Sequence, residues 1–313
     1  LIGNIYKGAS QAVEFRQLGY AVQIYNEKNF SRAAEKLHIA QPSLSQQLAK
    51  LEKELGVPLF HRTTNAVEPT HAGEIFVTKA QVILDLVEQL RSEMNDISNL
   101  RKGKLVVGTL PITGSHILPL VLPEFAKRHP GIEISLVEDT SANLEQQTSS
   151  GAVDLALLSL PIEESTLDYR PYATEQICLA VPRTHELAEA SEPIPVRTLA
   201  NESFIVLKKG QGFRQITQDI CTEAGFSPNV VFESSNIETV MSLVAAGMGV
   251  AFIPNMIAES KKGKYVPVYK ALTDPAPSRT LVIAERRGRY FTKAAEAFIE
   301  TLMEVTASQR REA

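Results

Sequence analysis

Residues 31–63 read SRAAEKLHIAQPSLSQQLAKLEKELGVPLFHRT, and the spacing within them predicts two helices across a tight turn, followed by a hairpin. The first helix spans about Ser31 to His38, with Ser31 a suitable N-cap and Glu35 close to capping-box distance. Ile39-Ala40-Gln41 form the turn, and Pro42 suits the opening of the next helix, where its missing N–H costs nothing. That helix, Pro42 to Leu55, puts Leu44, Leu48, Leu51 and Leu55 on one stripe, and Gly56 ends it. Ala33 and Ala34 are small where the two helices must cross closely. Upstream, Phe15, Leu18, Val22 and Tyr25 fall on one face of an earlier helix. Downstream, Leu59-Phe60 and Val67 flank a polar hairpin that reads as a wing.

The rest of the third helix is short, uncharged and hydrogen-bonding: Gln41, Ser43, Ser45, Gln46 and Gln47, with Lys50 beyond. Such groups suit base edges in a DNA major groove. Glutamine matches the N6/N7 edge of adenine, and Pro42 and side-chain methylenes can touch thymine methyls. Arg62 and Thr63 on the wing would reach phosphate or the minor groove, and Ser31 and Arg32 the flanking backbone. The alternative is a helical interaction domain whose polar face meets only water. Charge limits the affinity of one copy: residues 14–70 hold seven Lys/Arg against six Asp/Glu, and the whole chain is at −4. Counterion release is therefore modest, and a second copy would help.

A long helix is expected from His71 to about Leu100. Phe76, Ala80, Ile83, Val87, Leu90, Met94 and Ile97 repeat at alternating spacings of four and three, the heptad signature of a helix that pairs with another chain. The same stripe would also serve a helix lying on its own domain. Arg101-Lys102-Gly103 marks a linker.

From Lys104 the pattern becomes alternating strands and helices, an α/β domain with a mostly parallel sheet. Strands are expected at 104–110, 132–138, 154–160, 177–181, 203–207, 230–233, 250–253 and 280–284. Helices are expected at 115–129, 142–150, 213–224, 237–246 and 291–305. Two halves, 103–172 and 173–272, make up the domain, with 273–306 returning to the first and 307–313 a tail. Ligands of open α/β sheets bind beyond the carboxyl ends of strands, where helix N-termini point unpaired N–H groups at anions. Polar residues at four such junctions are the candidates: Thr109, Thr113 and Ser115; Thr140, Ser141 and Asn143; Gln211, beside Phe213; and Ser235. Each alone could simply cap a helix. Together they suggest a pocket for a small anionic metabolite.

Other chemistry finds little support. The two cysteines, Cys178 and Cys221, are far apart in sequence, and the six histidines lack metal-ligand spacing. The run Lys208-Lys209-Gly210-Gln211-Gly212 lacks the ending of a nucleotide P-loop. Neither a cofactor motif nor a catalytic triad stands out. No apolar run reaches membrane-spanning length, so a cytoplasmic protein is expected. Residues 1–13 read as a tail outside the fold.

At Gln41-Pro42-Ser43-x-Ser45, Leu59-Phe60-x-Arg62-Thr63 and Thr70-x-Ala72-Gly73 the sequence resembles the LysR-type transcriptional regulators, and the domain order agrees over nearly the whole chain. The resemblance implies a winged helix-turn-helix, a dimerising linker helix and a C-terminal two-subdomain effector domain similar to periplasmic binding proteins. It implies a homodimer or homotetramer on double-stranded promoter DNA, with RNA polymerase a further candidate partner, and no enzyme activity. In that family the positions matching Gln41, Pro42, Ser43, Ser45, Gln46 and Arg62 lie at the DNA. One departure is that the family commonly has a basic residue near Gln46. Two competing classes remain at this level: an enzyme or solute-binding protein with an appended interaction domain, and a DNA-binding protein without a ligand.

Overall fold

A computed structural model describes residues 13–62, 67–97, 103–190, 193–260 and 266–312. The chain divides into two compact units, Leu1–Met94 with Ser150–Ala152, and Asn95–Ser149 with Val153–Ala313.

The first unit opens with α1 (Phe15–Glu27), α2 (Phe30–Lys36) and α3 (Gln41–Leu55). The buried face of α1 is Gln17, Leu18, Ala21 and Ile24, not the stripe expected through Phe15, which is 47% exposed. Gln17 is drawn inward because its side chain closes a capping box with Glu14. The N-cap of α2 is Asn29, whose Oδ1 accepts from the Arg32 amide at 3.0 Å. Ser31 therefore lies inside the first turn and does not cap it. The turn into α3 puts His38 at φ 54°, and Gly56 ends α3 at φ 72°, a left-handed conformation glycine adopts without strain. Ala33 and Ala34 are buried against Leu44, Leu48 and Leu51. Truncating any of these leucines to alanine opens a cavity of the kind that costs about 2–5 kcal/mol.

The wing strands β1 (Phe60–Arg62) and β2 (Val67–Pro69) pair antiparallel, with Phe60 opposite Pro69. Thr63 lies outside the described residues. The long helix α4 (His71–Ile97) is about 40 Å at 1.5 Å per residue. Its first turns belong to the winged-helix core through Val77 and Phe76. Farther along, Ile83, Leu90 and Met94 are exposed, with Leu86 beside them, and Val87 is half-buried. The side chain of Ile97 lies outside the described residues.

The second unit has two lobes. In the first, β3 (Gly103–Thr109) lies between β4 (Ile132–Glu138) and β5 (Leu155–Ser159), parallel to both. Helices α5 (Pro111–Arg128) and α6 (Ser141–Ser150) follow β3 and β4. The strand β6 (Leu167–Val181) then runs from the first lobe into the second. The expected boundary at 172/173 thus falls inside one continuous strand. The segment 167–176 escapes a periodicity reading because most of its side chains are polar and exposed.

The second lobe contains β7 (Ile194–Pro195), β8 (Ser203–Leu207), α7 (Gly212–Glu223), β9 (Asn229–Ser234), α8 (Ile237–Ala245), β10 (Ala251–Pro254), α9 (Asn255–Ser260), β11 (Val268–Lys270) and β12 (Leu272–Thr273). Strands β8 and β9 are parallel, whereas β10 and β11 run antiparallel to β6. The strand β13 (Ser278–Arg286) returns antiparallel to both β5 and β6, and α10 (Lys293–Glu312) closes the first lobe. The sheet is therefore mixed, not mostly parallel: the two strands that carry the chain out and back must oppose each other. Phe125 and Phe298 pack edge to face between α5 and α10 at 5.5 Å. Nothing breaks α10 at residue 306, where the buried Thr306 hydroxyl bonds to the Leu302 carbonyl, so the expected tail is helical.

Candidate functional site

The surface of α3 forms the first candidate site. Leu44 and Leu48 point into the core, while Gln41, Pro42, Ser43, Gln46 and Lys50 are exposed and Ser45 is half-buried. Gln41, Ser43 and Gln46 have no hydrogen-bond partner among the described residues, so their donors and acceptors are available to a base edge. Lys50 is less free than expected: its Nζ sits 2.6 Å from Glu14 and 3.9 Å from Glu54. The Arg32 guanidinium also has a local role, donating to the Glu27 carbonyl at 2.8 Å at the end of α1. Ser31 is exposed beside it. The Arg62 side chain lies outside the described residues.

The second site is in the α/β unit. All four strand-to-helix junctions border one cavity of about 530 Å³, within the size range of small-metabolite pockets. Of the expected residues, Ser115, Thr140, Gln211, Phe213 and Ser235 line it. Gln211 Nε2 donates to the Ser235 carbonyl at 2.9 Å, tying two junctions together. Asn236 caps α8 by accepting from the Glu238 amide at 2.7 Å.

Four expected residues lie elsewhere. Thr109 and Thr113 are fully buried, because β3 is a central strand and the first turn of α5 packs on its end. Asn143 is committed to Asp139, donating through Nδ2 at 2.8 Å. Ser141 borders a neighbouring cavity of about 420 Å³ that shares Gln211 and Gly212 with the first. The two lobes approach closely there: a Cβ on Gly212 would lie 2.6 Å from the Ser141 hydroxyl oxygen.

The larger cavity also takes residues that junction chemistry does not predict. Its apolar wall includes Leu110, Pro111, Ile112, Leu207 and Ile237, and its ionisable groups are Asp139, Glu238 and Arg279. Arg279, near the start of β13, has a side chain only 2% exposed. Its Nε donates to Glu175 Oε1 at 2.5 Å, and its guanidinium carbon lies 5.5 Å from the centre of the Phe213 ring. Arg279 and Glu175 face each other in register on β13 and β6. Burial pushes the Glu175 carboxyl above its ordinary range, with Arg279 pulling the other way. A signal for Arg279 was present in the sequence: it precedes Leu281 and Ile283 at period two, a charge on the inward face of an apolar strand.

The two cysteines are buried. Desolvation pushes the Cys221 thiol up to about 12, and Cys178 donates to the Ile253 carbonyl at 3.6 Å. Among the described residues no cluster of His, Cys, Asp or Glu could hold a metal ion, and no helix is long and apolar enough to cross a membrane.

The chain thus joins a winged helix-turn-helix, a long helix and a two-lobed α/β domain that holds a cavity. Residues 15–74 match the bacterial regulatory helix-turn-helix proteins of the lysR family, and residues 98–307 match the LysR substrate binding domain. The chain belongs to the LysR family of transcriptional regulators. It is 41% identical over 305 residues to the uncharacterized HTH-type transcriptional regulator YcgK of Bacillus subtilis, covering 92% of this chain and 93% of that one. It is 31% identical over 290 residues to the DNA-binding transcriptional dual regulator OxyR of Escherichia coli, covering 93% and 95%. Among solved structures, a full-length OxyR variant from Pseudomonas aeruginosa superposes with a TM-score of 0.75 at 29% identity, covering 94% and 95%.

Proposed function

We propose that this regulator reads a specific DNA site with Gln41, Pro42, Ser43, Ser45 and Gln46 of α3, supported by Arg62 and Thr63 of the wing. Ser31, Arg32 and Lys50 serve the flanking backbone, with Arg32 and Lys50 held in place by their local partners. Pairing through Ile83, Val87, Leu90 and Met94 of α4, extended by Ile97, supplies the second copy that the near-neutral reading domain needs, whereas Phe76, expected on the same stripe, packs on the winged-helix core. The exposure of Ile83, Leu90 and Met94 supports this, because an unpaired apolar stripe on a long helix is costly in water. A homodimer, or a homotetramer built from two, presents paired readers to a promoter.

The signal is a small anionic metabolite in the 530 Å³ cavity. The observation that carries this reading is the convergence of four strand-to-helix junctions on one space, which brings the positive ends of four helix dipoles near a bound anion. A ligand that fits one arrangement of the lobes better than another shifts their balance, and with it the DNA-bound assembly.

Footprinting on the DNA upstream of the gene tests the reader. Gln41→Ala, Ser45→Ala and Arg62→Ala variants should fold normally. The two helix variants should lose sequence discrimination, by about 1–3 kcal/mol per base contact. Arg62→Ala should weaken binding to all sequences alike. Unchanged protection in all three would sink this assignment.

Several relatives at 31–32% identity are named hydrogen peroxide-inducible genes activators. Peroxide attacks accessible thiolates, and both thiols here are buried, Cys221 fully. We therefore expect peroxide to leave DNA binding by this protein unchanged, and a Cys178→Ala/Cys221→Ala variant to bind as the parent does. A footprint altered by peroxide in the parent but not in the variant would refute this.

A further inference from the structure

Among the described residues of the cavity wall, Arg279 combines deep burial with hydrogen-bond donors that its protein partners do not fully use. A guanidinium carries five N–H donors. Here Nε is spent on Glu175, and Nη2 has only the Met256 sulfur at 3.9 Å, a weak acceptor. Nη1 has no hydrogen-bond partner among the described residues. Such a group, nearly out of water, is expensive to hold with unspent donors. The carboxylates that also border the cavity are placed differently: Glu238 is exposed, and Asp139 is half-buried. Asp139 is already satisfied by the Thr140 amide at 2.7 Å, by Asn143 and by Gln147. Of the ionisable groups that border the cavity itself, the arginine is therefore the deepest, with its Nε turned to Glu175 behind it and the two carboxylates nearer solvent.

We infer that Arg279 is the specificity-determining residue of the cavity, binding the carboxylate of a small monocarboxylate whose apolar body lies against Ile112, Phe213 and Ile237. The inference rests on the cavity being the effector site and names the chemistry it selects. The paired Nη groups present parallel donors to two coplanar oxygens, a match that a lysine ammonium does not offer. Because Arg279 and Glu175 pair across the two strands that join the lobes, a ligand held by Arg279 also bears on the crossover.

The test is calorimetric titration of the full-length protein with acetate through octanoate and with benzoate, each alongside its primary amide. Acids with an apolar body should bind the parent roughly ten- to a hundredfold tighter than their amides. Arg279→Lys should reduce that preference, and Arg279→Gln/Glu175→Gln should abolish it. The double variant leaves no buried charge unpaired, and circular dichroism melting verifies that it is folded. Equal acid-over-amide preference in the double variant would overturn the role of Arg279 while leaving the cavity as the site. A Ser115→Trp variant fills the cavity from another wall; if acids still bind it unchanged, the cavity reading itself fails. If no acid in the series binds the parent, the inference is wrong in its ligand class.

Discussion

Replacing Gly73 with alanine should destabilise the winged-helix unit by at least about 3 kcal/mol, although alanine is the better helix former by about 1 kcal/mol. Gly73 lies in the first turn of α4, where an added Cβ would sit 2.0 Å from the Leu59 carbonyl oxygen. That oxygen cannot retreat cheaply. It accepts from the Thr70 amide at 2.9 Å, and the Leu59 and Phe60 amides are held by Glu52 Oε1 at 2.7 and 3.2 Å. The clash is with fixed backbone, so the helix would have to lift away from the wing. The comparison is Gly19→Ala within α1, where an added Cβ meets nothing within 4 Å. That change should be neutral or stabilise by up to about 1 kcal/mol. Thermal unfolding of the full chain, followed by mobility shifts, separates the two: Gly73→Ala should melt early and lose DNA, and Gly19→Ala should keep both.

Replacing Arg279 alone, with methionine, should cost about 3–5 kcal/mol near neutral pH, because it strands the Glu175 carboxylate in the interior. The loss should depend on pH in a definite direction. Burial already holds the Glu175 carboxyl above its ordinary 4.5, and the attraction of Arg279 is what opposes that rise. Without the arginine the folded-state value climbs further. A carboxyl whose folded value exceeds its unfolded one binds more protons when folded. Its contribution is most favourable below the unfolded value and is lost as pH rises through the folded one. The Arg279→Met variant should therefore melt closer to the parent at about pH 5 than at about pH 8. Adding Glu175→Gln should recover much of the loss and flatten the pH dependence. A variant equally impaired at both pH values, or not rescued by Glu175→Gln, would show that the pair is not the source of the instability.

The reading helix was legible in the sequence because its constraints are local. Pro42 at the start, Gly56 at the end and leucines at helical spacing leave α3 little choice, and the polar face follows once the apolar one is fixed. The strand-to-helix junctions were legible for the same reason, since each is a short apolar run followed by hydroxyl or amide residues. Periodicity misleads where another constraint decides. Phe15 carries the right spacing for the core of α1, yet Gln17, tied to Glu14 by a local capping box, takes the buried place. Segment 167–176 carries too many exposed polar side chains to look like a strand, yet it is held in register by β13, more than a hundred residues later.

What the sequence determined by itself was the order of the longer strands and helices, though not β7, α9, β11, β12 or the first part of β6, together with the polar face of α3, the heptad stripe of α4 and the set of junctions from which the cavity is built. Each depends on periodicity and capping, which act over a few residues. Only the tertiary structure decided which junction residues reach the cavity. Thr109, Thr113 and Asn143 share the chemistry of Ser115, Thr140 and Ser235, but packing and local hydrogen bonds consume them. Only the tertiary structure, too, brought Arg279 to the cavity wall and set Glu175 beside it. That placement depends on β6 and β13 pairing antiparallel, a long-range contact that no local pattern encodes.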